Sequence, residues 1–338
     1  MKARKLICSL PVLAATFFIF TSALAQEKVL KLKYSNFFPP VHPISKLSEE
    51  WCKAIEKATE GRVTFSYFPG STLTPPMQTY DSVVKGIVDV GQSLLAYAPG
   101  RLPLSGVLTL PLGYKSGSQA TRLSQAYYKQ FKPKEFDDVQ VMYLHGHGPG
   151  FFHTKKVISS VEEIKGLRIK ANAENADIVS AFGGAPVTLP ITETYDALQK
   201  GLLDGILLPF EALKGWKFAE VVKCSVENYG VSYTSPIYVI MNKEKWNSIS
   251  EADRKAIEKI NEQWNEKQAQ LWDQLDKEAK EFAIQKGVKV VEASKEEQEK
   301  TAQKMKPVLE KWVESISAKG LPAKEALDFC QDYLRKNP

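Results

Sequence analysis

The sequence of 338 residues has only four cysteines, and this scarcity excludes several classes of protein. Cys8 lies near the amino terminus. The other three, Cys52, Cys224 and Cys330, are too few and too widely spaced for a disulfide framework or a zinc site. At most one bridge could join two of them, so hydrophobic cores must supply most of the stability.

Catalytic signatures are also missing. The chain contains no G-x-S-x-G nucleophile elbow, no H-E-x-x-H zinc motif, no G-x-x-x-x-G-K-[ST] phosphate loop and no G-x-G-x-x-G dinucleotide motif. His145, His147 and His153 lie near one another, but no adjacent acid or cysteine completes a metal site. We therefore predict no metal and no cofactor, and we predict that the protein is not an enzyme.

Long hydrophobic runs are absent except at the amino terminus. Residues 1–25 combine Lys2, Arg4 and Lys5 with an apolar stretch over 6–20 and the small-residue pattern ALA at 23–25. This pattern predicts a secretory signal peptide cleaved after residue 25, and hence a periplasmic protein. A retained membrane anchor is the alternative. No later run approaches the roughly 18 apolar residues that a membrane span needs.

Neither positive nor negative charge is in large excess. The 45 basic and 39 acidic residues give a net charge of +6, and removal of the predicted signal peptide leaves +3. A nearly neutral protein gives no indication of nucleic acid binding. The composition, with 43% hydrophobic and 25% charged residues, is that of a globular protein. The length favours two domains or one large unit with two lobes.

Hydrophobic periodicity predicts a β-α-β unit at the start of the mature chain. Residues 31–35 and 62–68 alternate as strands do, and residues 45–58 have apolar side chains at helical spacing. Such a unit is typical of a parallel sheet covered by helices. Further strands are predicted over 139–144 and 232–241, and the second of these is expected to return the chain to the first lobe.

Two segments of eleven residues resemble each other. The first is TYDSVVKGIVD at 79–89 and the second is TYDALQKGLLD at 194–204, and they share Thr, Tyr, Asp, Lys, Gly and Asp. Each predicts a helix that ends at a glycine, Gly86 or Gly201, and is followed by a strand. A single repeat at this distance is not a solenoid and indicates two α/β lobes of similar construction. Two unrelated helices with similar ends are the alternative.

The last third of the chain is charged and helical. A capping signal at 250–253 and apolar residues at helical intervals predict one helix up to Gly287. At 1.5 Å per residue this helix reaches roughly 54 Å, which is enough to lie across both lobes. A strand over 288–291 and helices over 295–318 and 322–335 complete the prediction.

Several segments together resemble the DctP-type solute receptors of TRAP transporters. They are EIKGLRIK at 163–170, GGAPV at 183–187 and ETYDALQKGLLDG at 193–205, and the likeness covers nearly the whole mature chain. The resemblance implies an α/β, two-lobed, periplasmic-binding-protein-like fold with hinge strands and a long lobe-spanning helix. It also implies that the lobes close on an organic acid and deliver it to membrane permease subunits. We expect a monomer.

The predicted organisation has four parts. They are a signal peptide at 1–25, lobe I at 26–139, lobe II at 140–231, and a last part at 232–338. The last part comprises the return strand, the long hinge helix and the carboxy-terminal helices.

The chain departs from the family pattern at its ligand-binding positions. The resemblance implies an arginine at the end of the 163–170 segment, where it would hold the ligand carboxylate, but this chain has Lys170. A lysine supplies charge without the two-pronged geometry of arginine. Gly150, Leu94 and residues 207–208 replace further polar residues of the family, whereas Asn36 is retained. These changes predict a monocarboxylate ligand with an apolar or aromatic body.

The candidate ligand-binding residues fall into a polar and an aromatic group. The polar group is Lys170, Asn36, His42, His147, Asn172 and Glu211, and the aromatic group is Phe37, Phe38, Tyr97, Phe151, Phe210 and Trp216. An ion pair between Lys170 and Glu211, which would leave the site neutral, is an alternative to binding of an acid by Lys170. Alternative functions are a receptor for C4-dicarboxylates or sugar acids, a sensor module, and a secreted hydrolase with His147 or His153 as base.

Overall fold

The computed structural model of the protein describes residues 29–98 and 100–338. The predicted signal peptide, its cleavage site and Cys8 lie outside the described residues. The strands are β1 (Leu30–Asn36), β2 (Val63–Phe68), β3 (Val90–Leu94), β4 (Val139–Gly146), β5 (Gly150–Thr154), β6 (Arg168–Lys170), β7 (Ala185–Val187), β8 (Gly205–Pro209), β9 (Cys224–Glu227), β10 (Pro236–Asn242) and β11 (Lys289–Glu292). The α-helices are α1 (Pro43–Ala58), α2 (Thr79–Val84), α3 (Gly117–Phe131), α4 (Ala176–Ala181), α5 (Ile191–Gln199), α6 (Glu211–Gly215), α7 (Lys243–Ser248), α8 (Glu251–Gln285), α9 (Lys295–Ser317) and α10 (Ala323–Lys336).

Two sheets of the same design form the two lobes. The strand order is β2-β1-β3-β10-β4 in the first sheet and β7-β6-β8-β5-β9-β11 in the second. In each sheet the first three strands of this order are parallel to one another. The next two strands, which are β10 and β4 in the first sheet and β5 and β9 in the second, pair antiparallel. The predicted α/β fold with two lobes of similar construction is confirmed.

The repeated eleven-residue segments occupy equivalent places in the two lobes. The first contains α2 and leads into β3, and the second contains most of α5 and leads into β8. The chain turns after each helix at a glycine with positive φ, +69° at Gly86 and +73° at Gly201. A residue with a side chain is strained in that conformation, so glycine is required at both turns.

The aspartate that ends each repeat has the same structural role in both lobes. The carboxylate of Asp89 accepts a hydrogen bond from the amide of Lys33 at 2.7 Å, and that of Asp204 accepts one from the amide of Arg168 at 2.9 Å. Each aspartate therefore joins the start of a central strand to its parallel neighbour. The sequence repeat reflects a repeated hydrogen-bonding arrangement as well as repeated turns.

The chain crosses between lobes after β4 rather than before it. The prediction placed the start of the second lobe at residue 140, but β4 pairs with β10 in the first sheet, so the crossing falls at 147–149. The second crossing lies between β9 and β10. The part assigned to 232–338 also contributes β11 to the second sheet, where it pairs with β9. The predicted boundary was wrong because an apolar strand has the same sequence pattern in either lobe.

The long helix α8 connects both lobes, as predicted. Ser250 caps its first turn by accepting a hydrogen bond from the amide of Asp253 at 3.1 Å. The helix packs on α1, α3 and β4 of the first lobe and on α6 of the second. Among the described residues no helix combines the length and apolar character needed to cross a bilayer. Cys52, Cys224 and Cys330 are buried free thiols.

Candidate functional site

A cleft lies where the carboxyl ends of four parallel strands, β1 and β3 of the first lobe and β6 and β8 of the second, face each other. This edge is where open α/β sheets place their ligands. The cavity volume of the cleft is about 30 Å³. It is lined by Phe37, Phe38, Leu94, Tyr97, His147, Lys170, Asn172, Ile191, Leu208, Pro209, Glu211, Ala212, Trp216, Ile237 and Trp272.

Lys170 is the buried cation of the cleft. Its side chain is 1% exposed, and its ammonium donates one hydrogen bond, to Oδ1 of Asn172 at 3.0 Å. Burial lowers the pKa of this lysine from 10.5 to about 7. Within the described residues the ammonium forms no ion pair with a carboxylate, so the alternative pairing with Glu211 is not formed. The charge is buried without an opposite charge beside it.

His147 lines the cleft but has no free ring nitrogen. Its Nδ1 lies 2.6 Å from the carbonyl of Gly148, and its Nε2 accepts a hydrogen bond from the amide of Ser235 at 2.9 Å. A carbonyl only accepts, so Nδ1 carries the hydrogen and the ring is neutral. Burial lowers its pKa to about 4, and the nearby Lys170 charge acts in the same direction. This histidine holds together the two chain crossings.

His153 lies outside the cleft wall. Its Nε2 donates to the carbonyl of Leu208 at 2.9 Å, and its Nδ1 lies 2.7 Å from the hydroxyl of Ser225. Both ring nitrogens thus bridge neighbouring strands, and neither His147 nor His153 presents a free base to the cleft. The part of the chain that the structure describes holds no group of three or more His, Cys, Asp or Glu side chains arranged for a metal ion.

Aromatic rings from three parts of the chain form the apolar wall. Phe37 and Phe38 follow β1, with ring centroids 4.1 Å apart. The Phe37 ring is nearly parallel to that of Trp216 in the second lobe, with centroids 6.4 Å apart and planes inclined by 14°. Trp272 of α8 lies 6.1 Å from Phe38 and is fixed by a hydrogen bond from its Nε1 to Nδ1 of His145 at 2.9 Å. A flat apolar ligand matches such a wall.

Hydrogen bonds cross from one lobe to the other around the cleft. His42 and Glu211 are joined at 2.7 Å, and the amide of Ile191 donates to the hydroxyl of Tyr97 at 3.0 Å. A further bond runs from the side chain of Asn175 to the carbonyl of Thr109 at 2.8 Å. These contacts require the lobes to be close together, so the structure shows a closed arrangement.

The candidate residues predicted from the sequence separate into three groups. Eight line the cleft: Phe37, Phe38, Tyr97, His147, Lys170, Asn172, Glu211 and Trp216. Asn36 and His42 lie behind the wall, where Asn36 Oδ1 accepts a hydrogen bond from the amide of Phe38 at 3.0 Å and thereby shapes the aromatic turn. Phe151 and Phe210 do not line the cleft. Their rings, 5.6 Å apart, pack in the core of the second lobe, because their positions on and after paired strands direct them inward.

Sequence reasoning missed Trp272 and part of the aliphatic wall. The missed aliphatic positions are Ile191, Pro209, Ala212 and Ile237, whereas the family resemblance had already pointed to Leu94 and to residues 207–208. Trp272 adjoins Leu271, one of the apolar residues at helical intervals from which the long helix is predicted. A tryptophan next to these residues widens the apolar face of the helix, and this widening was the signal from which the role of Trp272 could have been predicted. The four missed aliphatic residues resemble any buried apolar position, so the sequence offered no signal for them.

Replacing Tyr97 with phenylalanine is expected to weaken ligand binding roughly two- to tenfold, as expected for the loss of one hydrogen bond. The ring stays, but the cross-lobe bond to Ile191 is lost, and this bond stabilises only the closed arrangement. Calorimetric titration measures the change. Y195F is the matched control because the Tyr195 hydroxyl bonds to Glu220 within the second lobe. Equal affinities of Y97F and the unmodified protein would contradict the closure argument.

The chain is similar to known solute-binding proteins over most of its length. The family described as "Bacterial extracellular solute-binding protein, family 7" (DctP) matches residues 34–315. A relative named outer membrane transporter protein TsaT, from Comamonas testosteroni, is 28% identical over 345 residues, and the match covers 100% of both chains.

Two solved structures share the fold closely. One is a TRAP solute-binding protein from a marine metagenome, specific for aromatic acid ligands, in complex with metahydroxyphenylacetate. It has 25% identity and a TM-score of 0.86, and the match covers 91% of this chain and 99% of that one. The other is a TRAP solute-binding protein from Rhodoferax ferrireducens T118 with copurified benzoate. It has 26% identity and a TM-score of 0.85, with 91% of this chain and 98% of that one covered.

Proposed function

The chain belongs to the DctP family of bacterial extracellular solute-binding proteins, the receptors of TRAP transporters, and from that premise we propose that its ligand is an aromatic monocarboxylate. The carboxylate binds at Lys170 and Asn172, and the ring lies between the aromatic side chains of the two lobes. The observation that carries the proposal is a buried ammonium without an acidic partner in a cleft that is otherwise mostly apolar.

The electrostatics of Lys170 favour an anionic ligand. An isolated charge in a buried site costs several kcal/mol, and an opposite charge within hydrogen-bonding distance offsets much of that cost. Asn172 adds an amide donor beside the ammonium. Its Oδ1 accepts from Lys170, its Nδ2 donates one hydrogen bond to the hydroxyl of Ser235 at 3.4 Å, and the second Nδ2 hydrogen is left for a ligand. One carboxylate suffices to pair this cation. A second carboxylate on the ligand would find Glu211 in the same cleft and be repelled.

The apolar wall favours an aromatic ring over a sugar or a short aliphatic diacid. Sugar hydroxyls need many hydrogen-bonding partners, and burial of unpaired hydroxyls is unfavourable. Here Phe37, Phe38, Trp216 and Trp272 offer ring faces instead. The two similar structures that carry an aromatic acid and benzoate support the same ligand class.

Ligand binding drives closure because both lobes contact the ligand. Lys170, Asn172 and Trp216 belong to the second lobe, whereas Phe37, Phe38 and Tyr97 belong to the first. A ligand shifts the equilibrium only through its preference for the closed state. Members of this family work with TRAP permeases. We propose that the signal peptide exports this protein to the periplasm, where it acts as a monomer. We propose further that the permease recognises the closed form and that the protein performs no chemistry on the ligand.

A thermal-shift screen of the mature protein tests the ligand class. Benzoate and phenylacetate are expected to raise the melting temperature, while succinate and D-glucuronate raise it little. A ligand at 100 times its dissociation constant adds about 2.7 kcal/mol of stability. Benzamide, which has the ring without the charge, is the control. Stabilisation by succinate or glucuronate and none by benzoate would overturn the proposal, and conversion of a bound acid to a product would show an enzyme.

A further inference from the structure

Glu211 is the acid that lines the cleft, and within residues 29–98 and 100–338 one of its two carboxylate oxygens has a hydrogen-bond partner and the other has none. The residue is 4% exposed and begins α6, directly after β8. Oε1 lies 2.7 Å from Nε2 of His42. Among the described residues nothing donates a hydrogen bond to Oε2. Oε2 is not one of the fully enclosed side-chain atoms that lack a partner, so it is open to a hydrogen-bond donor on a ligand.

The hydrogen atom in the His42–Glu211 bond belongs to the histidine. His42 caps α1, and its Nδ1 accepts a hydrogen bond from the amide of Ile44 at 3.2 Å. Since Nδ1 is used as an acceptor, Nε2 carries the hydrogen and donates it to Oε1. The histidine therefore fixes one oxygen of the carboxylate and leaves the other one available.

The backbone around Glu211 is built to hold this side chain in one position. A Cβ atom on Gly215 would lie 1.9 Å from Oε1 of Glu211 and 2.7 Å from Nε2 of His42, so glycine is required for the pair to fit. The amide of Glu211 donates to Oδ1 of Asp276 on α8 at 2.8 Å. The carboxylate is thus fixed by the first lobe, by its own helix and by the long helix.

The other side-chain groups of the cleft that can accept a hydrogen bond already do so, as in the hydroxyl of Tyr97, which accepts one from the amide of Ile191. Both ring nitrogens of His147 are bonded to backbone groups. Lys170 and Asn172 are bonded to each other and are the donors that a ligand carboxylate uses. Lys170 and Glu211 make no ion pair. The free oxygen of Glu211 is therefore an acceptor at a place in the cleft separate from the carboxylate position.

We infer that Glu211 is a specificity-determining residue that selects aromatic acids carrying a hydroxyl group on the ring. The hydroxyl donates its hydrogen to Oε2, while the ligand carboxylate pairs with Lys170. The inference rests on the proposed function, because it assumes the carboxylate at Lys170. It adds that an acid without a hydroxyl group leaves Oε2 of Glu211 without a donor once the lobes have closed, and a site of this kind discriminates against such a ligand.

Affinities of the unmodified protein for a series of benzoates test the inference without any mutation. The series is benzoate, 3-hydroxybenzoate, 4-hydroxybenzoate, and the methoxy and amino analogues of each. The better of the two hydroxybenzoates is expected to bind roughly tenfold to hundredfold more tightly than benzoate, as for a hydrogen bond to a charged group. The methoxy analogue, which has no hydrogen to donate, is expected to bind no better than benzoate. If the amino analogue gained more affinity relative to benzoate than the hydroxy analogue, the donor to Oε2 would be an N–H group. That result would overturn the choice of a hydroxyl.

The variant E211L separates ligand selection from a purely structural role of the cross-lobe bond. Loss of the bond to His42 weakens all ligands, but only a selecting role predicts that the ratio of hydroxybenzoate to benzoate affinity falls to about one. E220L, which removes an exposed acid of the same lobe, is the control and keeps the ratio. If E211L weakens every ligand equally, or if hydroxyl and methoxy analogues bind alike to the unmodified protein, the inference is wrong. In that case the proposed function would still hold, provided that benzoate binds and that its binding depends on Lys170. If no acid binds at all, the proposed function itself is wrong.

Discussion

Replacing Lys170 with methionine is expected to weaken benzoate binding at least a hundredfold. Methionine has a similar length and no charge, so the ligand carboxylate would be buried without a cation. Removal of one partner from a buried, hydrogen-bonded charge pair typically costs about 3–5 kcal/mol. The rings of Trp216 and Trp272 in the cleft wall provide a fluorescence signal for the titration.

The control for this substitution is K200M, since Lys200 is an exposed lysine of the same lobe. Its affinity for benzoate is expected to match that of the unmodified protein. The stability of ligand-free K170M is expected to rise at pH 7, because the substitution removes a buried charge that nothing in the free protein pairs. An affinity of K170M within twofold of the unmodified protein would show that the carboxylate binds elsewhere.

Raising the pH from 7 to 9 is expected to weaken benzoate binding by up to roughly fiftyfold, from the proton linkage of one group. In the closed arrangement without ligand, burial holds the pKa of Lys170 at about 7, so the side chain loses its proton over this range. A bound carboxylate favours the ammonium and raises that pKa again. Binding above pH 7 therefore requires uptake of a proton, and the affinity falls as protons become scarce.

The stability of the free protein is expected to change in the opposite direction. The unfolded chain keeps the ordinary lysine pKa of 10.5, so between pH 7 and 9 it holds a proton that the folded chain has lost. The free energy of unfolding therefore rises with pH, by about 2 kcal/mol from this one group. Ligand affinity and the stability of the free protein thus have opposite slopes.

The variant K170M isolates the titrating group. Its weak residual affinity is expected to be independent of pH, and the difference in stability between it and the unmodified protein is expected to shrink from pH 7 to 9. His147, the nearest other titratable ring, has a pKa lowered to about 4 and stays neutral throughout. Calorimetry in buffers of different ionisation enthalpy measures the proton uptake directly. A constant affinity between pH 6 and 9 would mean that Lys170 remains fully charged in the free protein.

Two predictions from the sequence show where local patterns sufficed. The repeated segments ended at glycines and aspartates, and the structure places Gly86 and Gly201 at equivalent turns and Asp89 and Asp204 on equivalent strand amides. These features depend on residues close in sequence or on one neighbouring strand. The long helix was also predictable, because the apolar period and the Ser250 cap are local properties.

The candidate site was only partly predictable. Lys170 stood out because a charged residue occupied a position that the family resemblance assigned to an arginine. Phe151 and Phe210 were equally reasonable as aromatic wall residues, yet they pack in the second-lobe core. Whether a side chain on a strand faces the cleft or the core depends on the strand register, which a single sequence does not give.

The sequence by itself determined the two α/β lobes, the long connecting helix and the presence of one cation, Lys170, at the position where the family resemblance implies an acid-binding arginine. Only the tertiary structure decided that this cation is buried without an acid, that both nitrogens of His147 are used, and that His42 fixes one oxygen of Glu211. The reason is physical. A cleft between two sheets brings together side chains more than a hundred residues apart, and their burial and hydrogen-bond partners exist only once both lobes are folded and closed.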